Sequence, residues 1–251
     1  MDLDIKANDR VAIIGKTGTG KTYFARVLLR PIARQIVIDS KGEMDPTEWG
    51  LETVSDRWSE STPLIRRFLR GENVRLRFRA PMNGDYTPIL ELVWAGKDVT
   101  LYVDEVLQLV PERRPAPHLF DALYTRGRSA GIGVWASAQR PRAIPPNVIG
   151  QAEWLFAFRV SRPEDRKYLA QYADEYETLA RPIPDPHGFY TYHASWPRAV
   201  YTPRYVEQSG GSNPRSVAPS GNESISIPTR KLAVVRAPDG RKRFAIVGGR
   251  S

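Results

Sequence analysis

Residues 11–22, VAIIGKTGTGKT, decide how the rest of this 251-residue chain is read. Val11 to Ile14 form a short apolar run, the pattern of a buried strand. Gly15 to Thr22 then fit Gly-x-x-x-x-Gly-Lys-[Ser/Thr]. KTYFARVLL (21–29) follows with Phe24, Val27 and Leu28 at helical spacing, and Pro31 closes that helix. A strand, a glycine-rich turn and a helix in immediate succession form a phosphate-binding loop. The glycines let backbone N–H groups close around phosphate oxygens, and the helix N-terminus adds a favourable dipole. Gly15, Lys16, Thr17, Gly18, Thr19, Gly20, Lys21 and Thr22 are the candidate nucleotide-binding residues. Lys21 is expected to reach the β and γ phosphates, and the Thr22 hydroxyl to serve Mg2+. With glycine at about 7% of residues, the pattern arises by chance in roughly one chain of this length in a hundred.

A loop that holds a nucleoside triphosphate needs carboxylates to hydrolyse it. LYVDE (101–105) supplies an Asp-Glu pair at the end of an apolar strand, about 80 residues beyond Thr22. Asp104 is expected to orient the Mg2+ shell, and Glu105 to polarise the attacking water as general base. Alone, an acidic pair after a strand is a common loop feature; after a phosphate-binding loop it marks hydrolysis. Another apolar run, GVWASAQ (133–139), ends abruptly on Gln139, Arg140 and Pro141. A buried strand ending on a glutamine either reaches the surface there or delivers a polar group to a reaction.

The remaining segments alternate between strands and helices. QIVID (35–39) and EWLFAFRV (153–160) read as buried strands, and Leu119, Phe120, Leu123 and Tyr124 share a helical face. NVRLRFR (73–79) alternates, with Val74, Leu76 and Phe78 on one side and Arg75, Arg77 and Arg79 on a wet side. Ser161 and Glu164 have capping-box spacing ahead of a helix. Strands alternating with helices imply a mostly parallel sheet covered on both faces. From about Gln208 the composition shifts to Gly, Ser, Pro and Asn, a linker composition. LAVVRAPDGRKRFAIV (232–247) then carries two β-like runs around Pro-Asp-Gly, a hairpin signal. The expected division is a motor domain over 1–207, a flexible linker over 208–229 and a basic C-terminal β-hairpin tail over 230–251. A lone hairpin is marginal in water, so it is expected to dock on this domain, a neighbouring subunit or nucleic acid.

GRSAGIGVWASAQRP (127–141) resembles the hallmark segment of the FtsK/HerA superfamily of DNA-pumping ATPases, with its Gly-Arg-x-x-Gly approach, apolar strand and Gln-Arg-Pro. VIDSKGE (37–43) resembles the Asp-Pro-Lys-Gly-Glu segment after the second strand of HerA-like and conjugative coupling proteins, with Ser40 in place of the proline. The resemblance runs from about Val11 to Leu169. It implies an α/β fold, a RecA-like additional-strand P-loop NTPase whose central sheet is mostly parallel and covered by helices on both faces. It implies that strand 133–139 lies between the P-loop strand and the Asp-Glu strand, which makes Gln139 a γ-phosphate sensor. It implies a homo-oligomeric ring, a pentamer or hexamer, with ATP and Mg2+ between subunits and an arginine acting in trans. Arg128 matches the arginine of the Gly-Arg-x-x-Gly segment, and Arg126 lies two residues earlier. A surface salt bridge is the plain alternative for each. Arg140 is a further interface candidate. Asp39 and Glu43 are candidates for positioning the site, an acidic turn being their alternative.

Charge and composition limit the partners. The net charge is +9, and +6 of it falls after residue 207, which suggests an acidic partner such as nucleic acid, a solubilising tail being the alternative. Arg66, Arg67 and Arg70, with the strand 73–79, form a second basic cluster that invites a DNA reading; charge protecting an exposed edge, or paired with acids, explains it better. Cysteine is absent, and three scattered histidines do not form a metal site. No apolar run approaches the ~20 residues of a membrane span, so no membrane insertion is expected. The expected location is the host cytoplasm or a virion vertex. The P-loop strand starts by Val11, so no N-terminal barrel of the HerA type is expected, and no winged-helix reader is apparent, the layout of a bare motor with a basic tail. That resembles the small genome-packaging ATPases of viruses, with a capsid portal or vertex protein as partner. The alternatives are a conjugation- or segregation-type DNA translocase, and a phage assembly ATPase acting on protein.

Overall fold

The structure is a computed structural model and describes residues 2–60, 62–110, 116–172, 182–196, 199–202, 231–236 and 242–247. A short β1 (Asp2–Leu3) precedes β2 (Arg10–Ile14), α1 (Lys21–Leu29) and β3 (Gln35–Asp39). Then come α2 (Pro46–Trp49), β4 (Glu52–Thr53), α3 (Pro63–Leu69) and β5 (Arg75–Arg79). The middle of the chain forms α4 (Thr87–Gly96), β6 (Thr100–Asp104), α5 (His118–Arg126) and β7 (Gly133–Ala138). It continues through α6 (Pro146–Gly150), β8 (Trp154–Phe158) and α7 (Pro163–Ala170). The last strands are β9 (Phe189–His193), β10 (Val200–Thr202), β11 (Lys231–Arg236) and β12 (Lys242–Val247). No helix among the described residues is long and apolar enough to cross a membrane.

Nine strands make one sheet in the order β10-β9-β8-β2-β7-β6-β3-β5-β4. From β8 to β4 every neighbouring pair is parallel, while β9 and β10 add antiparallel beyond β8. Every residue of β2, β3, β6, β7 and β8 is buried. That explains why these strands read as continuous apolar runs, the signature of a parallel sheet covered twice. Successive side chains point to opposite faces. Val11, Ile13, Val37, Tyr102 and Trp135 pack with Phe24 and Leu28 of α1 on one face. Ala12, Ile14, Ile36, Ile38, Leu101 and Val134 pack on the other with Phe68, Leu90, Phe120 and Leu123, from α3, α4 and α5. Trp135 and Trp154 are core residues, 1% and 3% exposed.

Strand β7, the segment 133–138, lies between β2 and β6, as the family resemblance implied. Two expectations change. The wet face of residues 73–79 is interrupted at its centre: Arg77 is 2% exposed and forms a buried ion pair with Asp39, while Arg75 is half-buried and Arg79 exposed. β4 pairs outside β5, so β5 is an inner strand and not the exposed edge the alternation suggested, and the buried Arg77 cation is matched by an acid on β3. In the neighbouring cluster Arg67 pairs with Glu52 and Glu72, and Arg70 with Glu72. The capping box does not form: α7 starts at Pro163 behind Arg162, with no side-chain cap. Pro163 at the first position presets the helical φ and lacks the N–H a cap would serve. Strands β9 and β10 carried no clear sequence signal.

Strands β11 and β12 pair antiparallel from Lys231↔Val247 to Arg236↔Lys242, and β12 pairs with β1 through Leu3↔Phe244 and Asp2↔Ala245. The hairpin strands thus join the N-terminal strand of the same chain in a small second sheet. The expected turn at Pro238 to Gly240 and the linker over 208–229 lie outside the described residues.

Candidate nucleotide-hydrolysis site

Strands β2, β7 and β6 end side by side, so their carboxyl ends place three loops together. The loop after β2 is fixed at both sides: Gly15 N–H donates to the Ala138 carbonyl (3.0 Å) and Lys16 N–H to the Arg159 carbonyl (2.9 Å). A Cβ on Gly15 would come within 2.5 Å of Phe158 Cβ, so the close approach of loop and strand β8 requires glycine there. Gly20 takes φ +95° as the residue before α1 and provides no side-chain cap. The first N–H groups of α1 are left without intrahelical partners, and no acid stands in its first turn. That end of α1 is built to receive an anion. Thr19, 1% exposed, closes the loop internally by donating to the Lys16 carbonyl (2.8 Å).

Lys21 is 8% exposed and donates to the Lys16 carbonyl at 3.1 Å. Burial lowers its pKa from the ordinary lysine value; the nearby charges of Glu105 and Asp104 pull it back up, and Lys41 lowers it further. A buried ammonium costs free energy unless charge compensates it, and a triphosphate supplies that charge. Asp104 and Glu105 are 7% and 5% exposed. Asp104 Oδ1 accepts from Tyr102 Oη (3.1 Å) and Ser137 Oγ (2.9 Å). Glu105 adopts a left-handed backbone, φ 60° and ψ 73°, and its N–H donates to Ser137 Oγ at 3.0 Å. A positive φ in a residue with a Cβ is strained, and such strain gathers at functional sites. Gln139, at the end of β7, donates its backbone N–H to Glu105 Oε1 (3.4 Å).

Thr22 and Asp104 line one cleft of about 490 Å³ with Tyr23, Arg26, Lys41 and Glu43. A hydroxyl and a carboxylate facing one cleft, both hard oxygen donors, fit the partial protein shell that Mg2+ accepts. The segment 40–44 is held against that cleft by Asp39, which accepts from the N–H groups of Gly42, Glu43 and Met44 at 2.9, 3.2 and 3.0 Å. Asp39 therefore shapes the site through a loop and does not enter it; Glu43 lines it.

The arginines stand elsewhere. Arg126 and Arg128 precede β7, at the opposite strand ends from Gln139. Six residues of β7 separate the two ends, about 20 Å at the usual rise per strand residue. Arg126 is exposed, and Arg128 Nη1 donates to Glu153 Oε1 at 2.5 Å. Neither is brought to the P-loop of its own chain. Arg140 is half-buried near Asp165 of α7, whose carboxyl is pushed up by burial and drawn down by Arg140.

Sequence reasoning missed Ser137, Tyr102 and Lys41. Ser137 was visible as the one polar side chain inside GVWASA, and Tyr102 lies two residues before Asp104, on the same face of a strand. Lys41 stood in the quoted VIDSKGE without a role.

Residues 1–79 match the family model described as "Helicase HerA, central domain". The chain is 29% identical over 175 residues to the DNA packaging ATPase P9 of Enterobacteria phage PRD1, covering 63% of this chain and 67% of that protein. It is 30% identical over 81 residues to a probable DNA double-strand break repair helicase HerA of Methanocaldococcus jannaschii, covering 32% of this chain and 16% of that protein. The fold is similar to the genome packaging NTPase B204 of Sulfolobus turreted icosahedral virus 2. The AMP complex gives a TM-score of 0.64 at 15% identity, over 80% of this chain and 100% of that one. The AMPPCP complex gives 0.60 at 17% identity, over 78% and 98%.

Proposed function

We propose that the chain is a P-loop ATPase of the HerA/FtsK type that hydrolyses ATP to drive double-stranded DNA into a viral capsid as a homo-oligomeric ring. The carrying observation is the convergence of Lys21, Asp104, Glu105 and Gln139 at the ends of three neighbouring strands. The relatives named as DNA packaging ATPase and genome packaging NTPase support the choice of substrate.

The division of labour follows from placement. The P-loop N–H groups and the Lys21 ammonium hold the β and γ phosphates. Thr22 and Asp104 hold Mg2+, which when bound neutralises phosphate charge. Glu105 takes a proton from the attacking water as general base. Gln139, on the strand between P-loop and acids, reads the γ-phosphate with its side-chain amide. Arg128, or Arg126, serves the site of a neighbouring subunit; the strand length between Arg128 and its own P-loop supports action in trans. The basic segment 230–251 contacts DNA or a portal or vertex protein of the capsid.

The test is steady-state ATP hydrolysis by the purified chain, with and without long double-stranded DNA, at low and moderate salt. Stimulation by DNA that fades as salt rises is expected, because phosphate contacts release counterions. Lys21→Ala and Glu105→Gln are expected to lower turnover by about 10³-fold. Hydrolysis indifferent to DNA would count against a DNA motor and favour a protein-assembly ATPase.

A further inference from the structure

We propose that Ser137 is a positioning residue that locks both acids of the site to the strand carrying Gln139; this rests on the reading of Asp104 and Glu105 as the hydrolytic pair. The backbone ladder between β6 and β7 ends at Val103↔Ala136. Asp104 and Glu105 lie beyond it: Asp104 keeps its pairing with Asp39 on the β3 side but has no partner on the β7 side, and Glu105 has left both ladders. Ser137, 1% exposed, takes over at that point. Its hydroxyl donates to Asp104 Oδ1 (2.9 Å) and accepts the Glu105 N–H (3.0 Å).

Each bond has a separate consequence. With Ser137 and Tyr102 both donating to Oδ1, the Asp104 carboxylate cannot rotate, and Oδ2 stays available to the metal shell. The bond to the Glu105 N–H satisfies a buried donor that the left-handed turn removes from the ladder. It thereby holds the carboxylate of Glu105 beside the backbone N–H of Gln139. Ser137 and Gln139 are two residues apart, so a shift of Gln139 on engaging the γ-phosphate is transmitted through Ser137 to the base and to the metal ligand together. An alanine in this apolar strand would pack equally well, so packing does not require the hydroxyl.

The experiment compares wild type, Ser137→Ala and the near-isosteric Ser137→Cys as full-length proteins. In Ser137→Ala, kcat for ATP is expected to fall about 100-fold, the scale of an ångström-sized misplacement of a catalytic group. KM should stay within about threefold, since the P-loop contacts are untouched. Ser137→Cys should fall between, because a thiol is the weaker hydrogen-bond partner. A second readout needs no turnover: with a non-hydrolysable ATP analogue, the Mg2+ concentration for half-maximal tightening should rise about tenfold in Ser137→Ala. A lowered melting temperature with unchanged kcat and unchanged Mg2+ dependence would reduce Ser137 to a turn satisfier and overturn the proposal. So would wild-type kcat in Ser137→Cys and Ser137→Ala alike. If the wild type itself fails to hydrolyse ATP, the functional reading fails instead, and unchanged Mg2+ dependence of analogue binding still overturns this one.

Discussion

Two buried aspartates end neighbouring parallel strands in the same register: Asp39 on β3 is the pairing partner of Asp104 on β6. They share residue type, strand position and burial, yet they do different work. Asp39 is fully engaged by its own chain. Arg77 donates to Oδ2 through Nε (3.0 Å) and Nη2 (2.6 Å), and the N–H groups of Gly42, Glu43 and Met44 complete the set. Asp104 receives two hydroxyls on one oxygen and no cation bonded to it among the described residues. An acid closed off by its own chain is architecture. An acid with an oxygen left over, lining a cleft with Thr22, fits the metal-holding role proposed for it.

The largest expected effect breaks the first half of this comparison. Asp39→Ala leaves the Arg77 guanidinium, 3% exposed, without its partner. Removing one member of a buried pair costs about 3–5 kcal/mol, and here three backbone N–H groups lose their acceptor as well. Chemical denaturation should show a large loss of stability, and the segment 40–44 should gain amide exchange before the rest of the sheet.

A smaller effect sharpens the comparison at the other end of the sheet. Asp9 is buried and accepts from Lys6 N–H (2.8 Å) and Trp154 Nε1 (3.1 Å). Burial pushes its carboxyl above the ordinary value, more than these bonds lower it, and Glu153 adds to the rise. A carboxyl raised on folding stabilises the fold only below its unfolded pKa, and that contribution is lost as pH rises through the folded value. Asp9→Asn keeps an oxygen for both donors and removes the charge. Its melting temperature should exceed wild type at neutral pH, with the difference vanishing toward about pH 4. A fall at neutral pH would mean the charge is needed there.

Legibility in the sequence followed the same division. The P-loop and the Asp-Glu pair were legible because phosphate chemistry asks for residue types at fixed spacing on contiguous stretches, whereas Gln139 was singled out through the family resemblance. The parallel sheet could be read because strands buried on both faces are apolar throughout. The partner of Arg77 could not be found, since Asp39 is 38 residues away and alternation alone resembles a solvated edge. Ser137 lies 33 residues from Asp104, and its role depends on a strand order that no local pattern states. Both failures concern polar groups satisfied across strands, where topology and not periodicity selects the partner.

The most direct measurement is turnover and melting temperature of Asp104→Asn, read beside wild type under identical Mg2+ and ATP. Asparagine keeps the shape and an oxygen for the hydroxyls but loses the charge that the proposed function assigns to the metal. The account predicts turnover lowered by about 100-fold, with the melting temperature at or above that of wild type. Wild-type turnover, or a collapse of stability like that expected for Asp39→Ala, would contradict it: Asp104 would then be a second structural acid, and the hydrolytic centre would lie elsewhere.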